Sequence, residues 1–82
     1  MKKIYKFGPV TSYLGTTVTG RIVHVGMQND QIFVWAEQNT NESTEVCTVF
    51  YVGTGYNYSD DLQYVGSVFE GPFVWHVIKR NV

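Results

Sequence analysis

Few residues of this chain have the chemistry of a catalytic or metal site, and they are scattered along it. His24, His76 and Cys47 are its only imidazoles and its only thiol. A metal site or a general base at either histidine needs carboxylates or a second histidine close by. Both histidines stand inside apolar, alternating segments, so we expect packed, hydrogen-bonded side chains. Cys47 also lies in an apolar run and has no disulfide partner, so we expect a buried, unreactive thiol.

Two loop motifs are the other candidates for ligand chemistry. Gly53-Thr54-Gly55 can aim backbone N–H groups at a phosphate, but it lacks the Lys-Ser/Thr of a P-loop and the spacing of a dinucleotide fingerprint. Asp60-Asp61 provides two adjacent carboxylates, whereas a hard cation takes several oxygen ligands in a fixed geometry. We interpret both motifs as turns, and we expect no metal and no cofactor.

No catalytic arrangement can be recognised from these residue types. Serine, histidine, cysteine and aspartate are all present, but no nucleophile elbow or comparable local signature combines them. Most of the acidic residues lie in predicted loops, which argues against a pair of carboxylates for acid–base chemistry. The sequence therefore favours a binding protein over an enzyme.

Tyrosines are concentrated around one turn. Aromatic residues make up 16% of the 82-residue chain and charged residues also 16%, so some rings must lie on the surface, where aromatic patches mark interaction sites. Tyrosine offers a large contact area with a polar group at its tip. The alternative is that two of these tyrosines are core and two are merely exposed. The candidate binding residues are Tyr51, Gly53, Thr54, Gly55, Tyr56, Tyr58, Tyr64 and, for a phosphate, Arg21.

The elements that position these residues are strands. Period-2 alternation predicts an all-β fold of about six short antiparallel strands in a small barrel or two-layer sandwich, a single domain over residues 1–82. Residues 10–19 are either a loop or an irregular extra strand. At most one short helical turn is expected, near residues 59–62, with Ser59 as its N-cap. The predicted strands are Lys3 to Phe7, Arg21 to Met27, Gln31 to Gln38, Thr44 to Val52, Gln63 to Phe69 and Phe73 to Lys79.

Two turn motifs predict hairpin registers. Asn29-Asp30 suits a two-residue turn because both residues tolerate positive φ. Its register pairs Met27 with Ile32, Val25 with Val34 and Val23 with Ala36 on an aliphatic core face, and Gly26 with Phe33 and His24 with Trp35 on the other. That His24, Phe33 and Trp35 face is either a second core layer or a binding surface. A turn at Glu70-Gly71 would pair Val68 with Phe73, Gly66 with Trp75 and Val65 with His76.

The charge pattern argues against a nucleic-acid partner. The formal net charge is −1, from six basic and seven acidic residues, whereas a nucleic-acid groove needs clustered cations. Lys2, Lys3 and Lys6 lie at one end of the chain and Lys79 and Arg80 at the other. They form one basic edge if the first and last strands pair; otherwise the lysines protect an edge strand.

Six ordered blocks in the chain resemble a family of small proteins of unknown function encoded by tailed bacteriophages and prophages. The resemblance covers the first strand and nearly everything after Gly20, and residues 8–19 depart from its pattern. It implies phage origin and no known activity. The blocks are Ile4-Tyr5-Lys6, Arg21 to Gln28, Phe33-Val34-Trp35-Ala36, Val52-Gly53-Thr54-Gly55, Tyr64-Val65-Gly66-Ser67-Val68 and Phe73-Val74-Trp75-His76-Val77.

These observations lead to several functional hypotheses. The first is a small binding protein that inhibits a host protein, such as a defence component, in the host cytoplasm. The second is a homo-oligomeric sponge for a nucleotide immune signal, and the others are a minor virion protein or a hydrolase. We expect no signal peptide, and the sequence has no apolar run long enough for a membrane span. The marginal core of so short a chain favours a homo-oligomer, with a C₂ dimer as the expected geometry.

Overall fold

The chain folds into seven β-strands arranged in two sheets. The computed structural model describes residues 1–81, which contain no helix. The all-β prediction is confirmed, and the strand bounds agree with it to within about two residues. The strands are β1 (Lys2–Phe7), β2 (Thr16–Thr19), β3 (Arg21–Gln28), β4 (Gln31–Asn39), β5 (Val46–Gly53), β6 (Gln63–Glu70) and β7 (Phe73–Asn81).

The two antiparallel sheets pack face to face as a sandwich. Their strand orders are β1-β4-β3 and β2-β5-β7-β6, and they do not close into a barrel. Alternation along each strand turns one side chain in two toward the other sheet. The resulting core is almost entirely aliphatic and draws on both sheets. Its most deeply buried members are Val18, Val34, Ala36, Val49 and Val77.

The segment 10–19, whose structure the sequence left open, is ordered and joins the two sheets. Its last part is the short edge strand β2, which pairs with β5. Val10 is buried, and its N–H donates to the carbonyl of Ile32 at 2.8 Å. The N–H of Tyr51 donates to the carbonyl of Thr11 at 3.1 Å. The segment thus connects β4 of one sheet with β5 of the other.

The β3–β4 hairpin has the predicted turn and most of the predicted register. Asn29 and Asp30 both have positive φ, 51° and 63°, and the pairs from Met27–Ile32 to His24–Trp35 are confirmed. The predicted pairing of Val23 with Ala36 is wrong. A β-bulge leaves Val23 unpaired and 41% exposed, and Ile22 lies opposite Ala36 instead. One extra residue on one strand reverses the face of every residue beyond it.

The β6–β7 hairpin differs from the prediction by two residues in register. Its two central residues are Gly71 and Pro72, so Glu70 pairs with Phe73 and Val68 with Trp75. Gly71 has a φ of 55°, which suits the first position of a type II′ turn, and the fixed φ of proline suits the second. The predicted pairs Gly66–Trp75 and Val65–His76 are therefore wrong. Gly66 lies opposite Val77, Ser67 lies opposite His76, and Val65 is a second bulge.

The two bulges meet where the edge strands β3 and β6 run side by side. A groove of about 370 Å³ between them includes Val23 and Val65 among its lining residues. A Cβ at Gly66 would lie only 3.3 Å from Val25 Cγ2. A side chain at residue 66 would therefore crowd Val25 of the opposite sheet.

The first and last strands do not pair, so the basic edge that their pairing would create is not formed. β1 is an edge strand on β4, whereas β7 is a central strand between β5 and β6. The three lysines of β1 therefore follow a free sheet edge, as the alternative interpretation proposed. Arg80 instead contacts Asp61, with 3.3 Å between its Nε and the carboxylate. Residues 59–62 form one turn, in which the N–H of Leu62 donates to the carbonyl of Ser59.

Candidate functional site

An aromatic cleft, formed by Tyr51, Tyr56, Phe73 and Trp75, opens at one end of the sandwich. Alternation places Tyr51 and Gly53 on the core-facing side of β5 and Phe73 and Trp75 on the core-facing side of β7. Tyr51 and Trp75 are half-buried and pack against the edge of the core. At the end of the sandwich, where the aliphatic core stops, β5 and β7 thus carry aromatic rings on their core-facing sides.

The rings of the cleft are held in place by one another and by one carboxylate. Tyr51 meets Trp75 edge to face, with centroids 5.4 Å apart, and Phe73 stacks on Trp75 with centroids 5.8 Å apart. Both arrangements are favourable for aromatic pairs. The indole N–H of Trp75 donates to Glu70 Oε1 at 3.1 Å, which satisfies its one polar group. The floor of the cleft is therefore ordered before any ligand arrives.

Gly53 allows the fourth ring to lie close to the sheet. It pairs with Trp75 in the β5–β7 ladder. A Cβ at this position would lie 3.2 Å from Tyr56 Cδ2 and 3.4 Å from Trp75 Cζ3. The absence of a side chain lets the Tyr56 ring cover bare backbone beside the indole.

The cleft has the size of a ligand site and an uncharged surface. Its volume is about 760 Å³, within the range of about 300–1,000 Å³ that is usual for ligand pockets. Tyr56 and Phe73 are 75% and 57% exposed, so their rings are available to a partner. None of the described residues that line it is charged. They are Ser12, Tyr51, Val52, Gly53, Thr54, Tyr56, Asn57, Pro72, Phe73, Val74 and Trp75.

A smaller acidic pocket adjoins the aromatic cleft. It has a volume of about 280 Å³ and shares Tyr51 and Trp75 with the cleft. Asp30, from the β3–β4 turn, and Glu70, at the end of β6, are its charged lining residues, and no described lysine or arginine lines it. The acidic pocket therefore carries negative charge beside the uncharged rings.

His76 lies in a cluster of hydroxyl groups next to the cleft. Thr54 Oγ1 is 2.7 Å from its Nε2, and Ser67 Oγ and Tyr64 OH are 3.0 and 3.3 Å from its Nδ1. The hydroxyls of Tyr64 and Ser67 also contact each other. The expected hydrogen-bonded side chain is confirmed for His76, with Ser67 rather than Val65 opposite it. Through Thr54, His76 anchors the loop that carries Tyr56.

The structure brings together only part of the predicted site. Tyr51, Gly53, Thr54 and Tyr56 line the aromatic cleft. Gly55 follows them on the same turn, and no atom lies within 4 Å of where its Cβ would be. The remaining three predicted residues lie elsewhere. Tyr58 is exposed outside the cleft lining, Tyr64 is in the hydroxyl cluster, and Arg21 is paired with Glu37 at 3.3 Å in a separate polar groove.

Sequence reasoning missed the half of the cleft that β7 contributes. The sequence predicts Phe73 and Trp75 only as strand residues opposite β6. Their place in the cleft depends on the pairing of β5 with β7, which the order of strands in the sequence does not reveal. The available signal was Gly53 itself, because a glycine at a strand end often lies under a neighbouring ring.

The face of sheet β1-β4-β3 that carries His24, Phe33 and Trp35 points outward and is not a second core layer. His24 is exposed and its ring centroid is 5.3 Å from that of Trp35. The Lys6 ammonium lies 4.8 Å from the centroid of Phe33, within cation–π range. Phe33 and Trp35 are thus half-buried under their neighbours. His24 is exposed, and its side chain makes no hydrogen bond with residues 1–81, so the expectation of a hydrogen-bonded side chain is wrong for His24.

The remaining titratable residues do not form a metal or catalytic centre. Burial raises the pKa of the Cys47 thiol, as expected for a buried cysteine. A hydrogen bond from Ser59, together with the charge of Arg80, lowers the pKa of Asp61. Within residues 1–81, no three histidine, cysteine, aspartate or glutamate side chains come together as metal ligands. No helix in this range could span a membrane.

The fold and cleft define a small β-sandwich protein with a preformed aromatic surface at one end. The chain belongs to the family described as Domain of unknown function (DUF7352), whose sequence profile matches residues 1–82. The match includes residues 8–19, the segment that departs from the pattern of the phage-encoded proteins. Comparisons with curated proteins and with solved structures find no significant match.

Proposed function

We propose that this chain is a non-enzymatic binding protein that holds a segment of another protein in its aromatic cleft. The observation that carries the proposal is the cleft itself, in which two exposed rings, Tyr56 and Phe73, flank an ordered floor of Tyr51 and Trp75. Rigid aromatic side chains lose little entropy on binding and dominate the energetics of protein interfaces. These rings therefore provide contact area without first having to be ordered.

The charge of the cleft favours a protein segment over a phosphorylated ligand. A nucleotide sponge needs cations or free N–H groups at its phosphates, and the described cleft lining offers no lysine or arginine. Arg21, the predicted phosphate partner, is paired with Glu37 in a different groove.

The proposal of a non-enzymatic role rests on the surroundings of His76. Within residues 1–81 its hydrogen-bond partners are three hydroxyls, from Thr54, Tyr64 and Ser67. A catalytic histidine in a triad is oriented by a carboxylate, which also stabilises its charged form. The hydroxyl cluster is better suited to fixing the loop that carries Tyr56 than to activating a nucleophile.

The resemblance to phage-encoded proteins supplies the proposed partner. A small phage protein with an exposed aromatic site would bind and inhibit a protein of the host, such as a defence component, in the host cytoplasm. The aromatic cleft would then compete with the natural partner of that host protein for one extended segment.

Selection from a display library of random peptides tests the proposed function without assuming the partner. We expect peptides that the unaltered chain retains and the Tyr56→Ala chain does not. Tyr13→Ala is the matched control, because Tyr13 is 78% exposed, similar to Tyr56, and does not line the cleft. Peptides retained equally by all three chains, or no enrichment, would overturn the proposal.

A further inference from the structure

The geometry points to a proline-containing, extended segment with a basic residue at one end as the ligand of this site. This inference rests on the proposed function and names the chemical class of its partner. The prolines would lie in the aromatic cleft, the chain would cross the Tyr51–Trp75 pair, and the arginine or lysine would enter the acidic pocket.

The aromatic cleft matches the chemistry of a polyproline II segment. Such a segment has no internal hydrogen bonds, and its prolines present apolar rings and carbonyl acceptors but no N–H donors. Grooves lined by aromatic side chains are the usual receptors for it. This cleft offers four aromatic rings together with Ser12 and Asn57, whose side chains can donate to carbonyl groups.

The acidic pocket supplies the charge complementarity. Asp30 and Glu70 are its only charged lining residues among those described, and both are negative. Glu70 accepts the Trp75 indole N–H at Oε1, which leaves its other carboxylate oxygen for a ligand cation. A guanidinium or ammonium group beside both carboxylates would gain favourable interactions with each, whereas an acidic side chain would be repelled.

The two sites adjoin each other at shared residues, which favours one extended occupant over two separate ligands. Tyr51 and Trp75 belong to the lining of both. A polyproline II chain rises about 3.1 Å per residue, so a few residues suffice to pass from the proline contacts to the acidic pocket.

Binding of synthetic peptides to the Trp35→Phe chain tests this inference directly. The chain has two tryptophans, so Trp75 becomes its only indole fluorophore, placed in the floor of the cleft. The probes are end-blocked polyproline peptides with one arginine at either end, the same peptides with glutamate in place of arginine, and a glycine–serine peptide with arginine. We expect at least one arginine–proline peptide to bind about tenfold more tightly than its glutamate counterpart, and the glycine–serine peptide not to bind.

The Asp30→Asn/Glu70→Gln double variant isolates the charge contribution. Asparagine tolerates the positive φ of residue 30, and a glutamine amide oxygen can still accept the Trp75 bond. We expect the arginine preference to fall from about tenfold to less than about twofold while proline binding remains. Asp60→Asn, which removes an exposed carboxylate elsewhere, should keep the preference.

The outcomes separate this inference from the proposed function. If neither arginine–proline peptide binds, or if the glutamate peptides bind equally well, the inference is overturned. In that case, library peptides that depend on Tyr56 but lack proline and basic residues would leave the proposed function standing. If no peptide depends on Tyr56, both are wrong.

Discussion

At the scale of single residues, the site depends on a position without a side chain. Alanine at residue 53 would place a methyl group 3.2 Å from the Tyr56 ring and 3.4 Å from Trp75. The Tyr56 ring can move outward, so we expect Gly53→Ala to weaken peptide binding roughly fivefold with a change in stability below about 1 kcal/mol. Titration with a selected peptide and denaturant unfolding measure the two effects.

Gly66→Ala is the matched control for that prediction. Gly66 is also a strand glycine, but its added methyl group would meet Val25 at the junction of the two sheets, away from the cleft. We expect it to lower stability by about 1–3 kcal/mol through overpacking and to leave the affinity of the folded chain unchanged. Equal loss of binding in both variants would contradict the role given to Gly53.

Because of Cys47, we expect the free energy of unfolding to change with pH in the alkaline range. Burial raises its thiol pKa above the usual value of 9.0, and the nearby charge of Lys79 offsets part of that increase. Above pH 9.0 the unfolded chain loses this proton before the folded chain does, so the free energy of unfolding falls as pH rises toward the folded-state pKa. We expect a steeper decline for the unaltered chain than for Cys47→Ala in urea unfolding between about pH 8 and pH 10. Parallel curves would show that this thiol does not contribute.

Individual residues were predictable where their environment is set by nearby sequence. The burial of Cys47 and the clustering of tyrosines near Gly53 follow from local pattern alone. Arg21 was assigned to the same site because a phosphate needs a cation, but its nearest carboxylate is Glu37 of its own sheet. Glu37 lies opposite Arg21 because of the β-bulge at Val23, and a bulge cannot be seen in the local alternation.

At the scale of elements, a substitution in the β3–β4 turn should increase the stability of the fold. Asn29 and Asp30 both adopt positive φ, which is strained for any residue with a Cβ and least strained for glycine. We expect Asp30→Gly to raise the free energy of unfolding by about 0.5–1 kcal/mol, measured by denaturant titration. Asp60→Gly, at a turn residue without positive φ, should give no increase. Destabilisation by Asp30→Gly would mean that the carboxylate, and not the backbone, determines this turn.

The two hairpins show why registers are only partly predictable. In the first, Asn29-Asp30 is the only plausible turn, and the register follows from it as far as the bulge at Val23. In the second, Glu70-Gly71 and Gly71-Pro72 compete, and the conformational demands of proline decide between them. The bulges at Val23 and Val65 each add a single residue, and the alternation of apolar and polar residues in the sequence does not reveal them.

At the scale of the whole molecule, the sequence predicted the class of fold but not its strand order. Alternation and turn signals are local, so they indicate an antiparallel all-β chain and leave a barrel and a sandwich equally possible. The central place of β7 between β5 and β6, which creates the cleft, depends on contacts between distant segments. The site could therefore be predicted only on its β5 side.

The exposed apolar surface supports the prediction of a homo-oligomer. Tyr13, Leu14 and Phe69 are each more than 70% exposed, and a chain of this length has a small core of its own. We expect light scattering at high protein concentration to give the mass of a dimer, with C₂ symmetry as the simplest geometry. A monomer under those conditions would contradict the prediction without affecting the cleft.

The measurement that tests the account most directly is an NMR titration of the labelled chain with a selected peptide. The two indole N–H signals provide an internal contrast, because Trp75 lies in the aromatic cleft and Trp35 on the outer face of the opposite sheet. We expect the largest shifts at Trp75, Gly53 and Tyr56, with Trp35 unchanged. Shifts concentrated around Trp35 and His24, with Trp75 unchanged, would place the binding surface on the other sheet and contradict the assignment of the site.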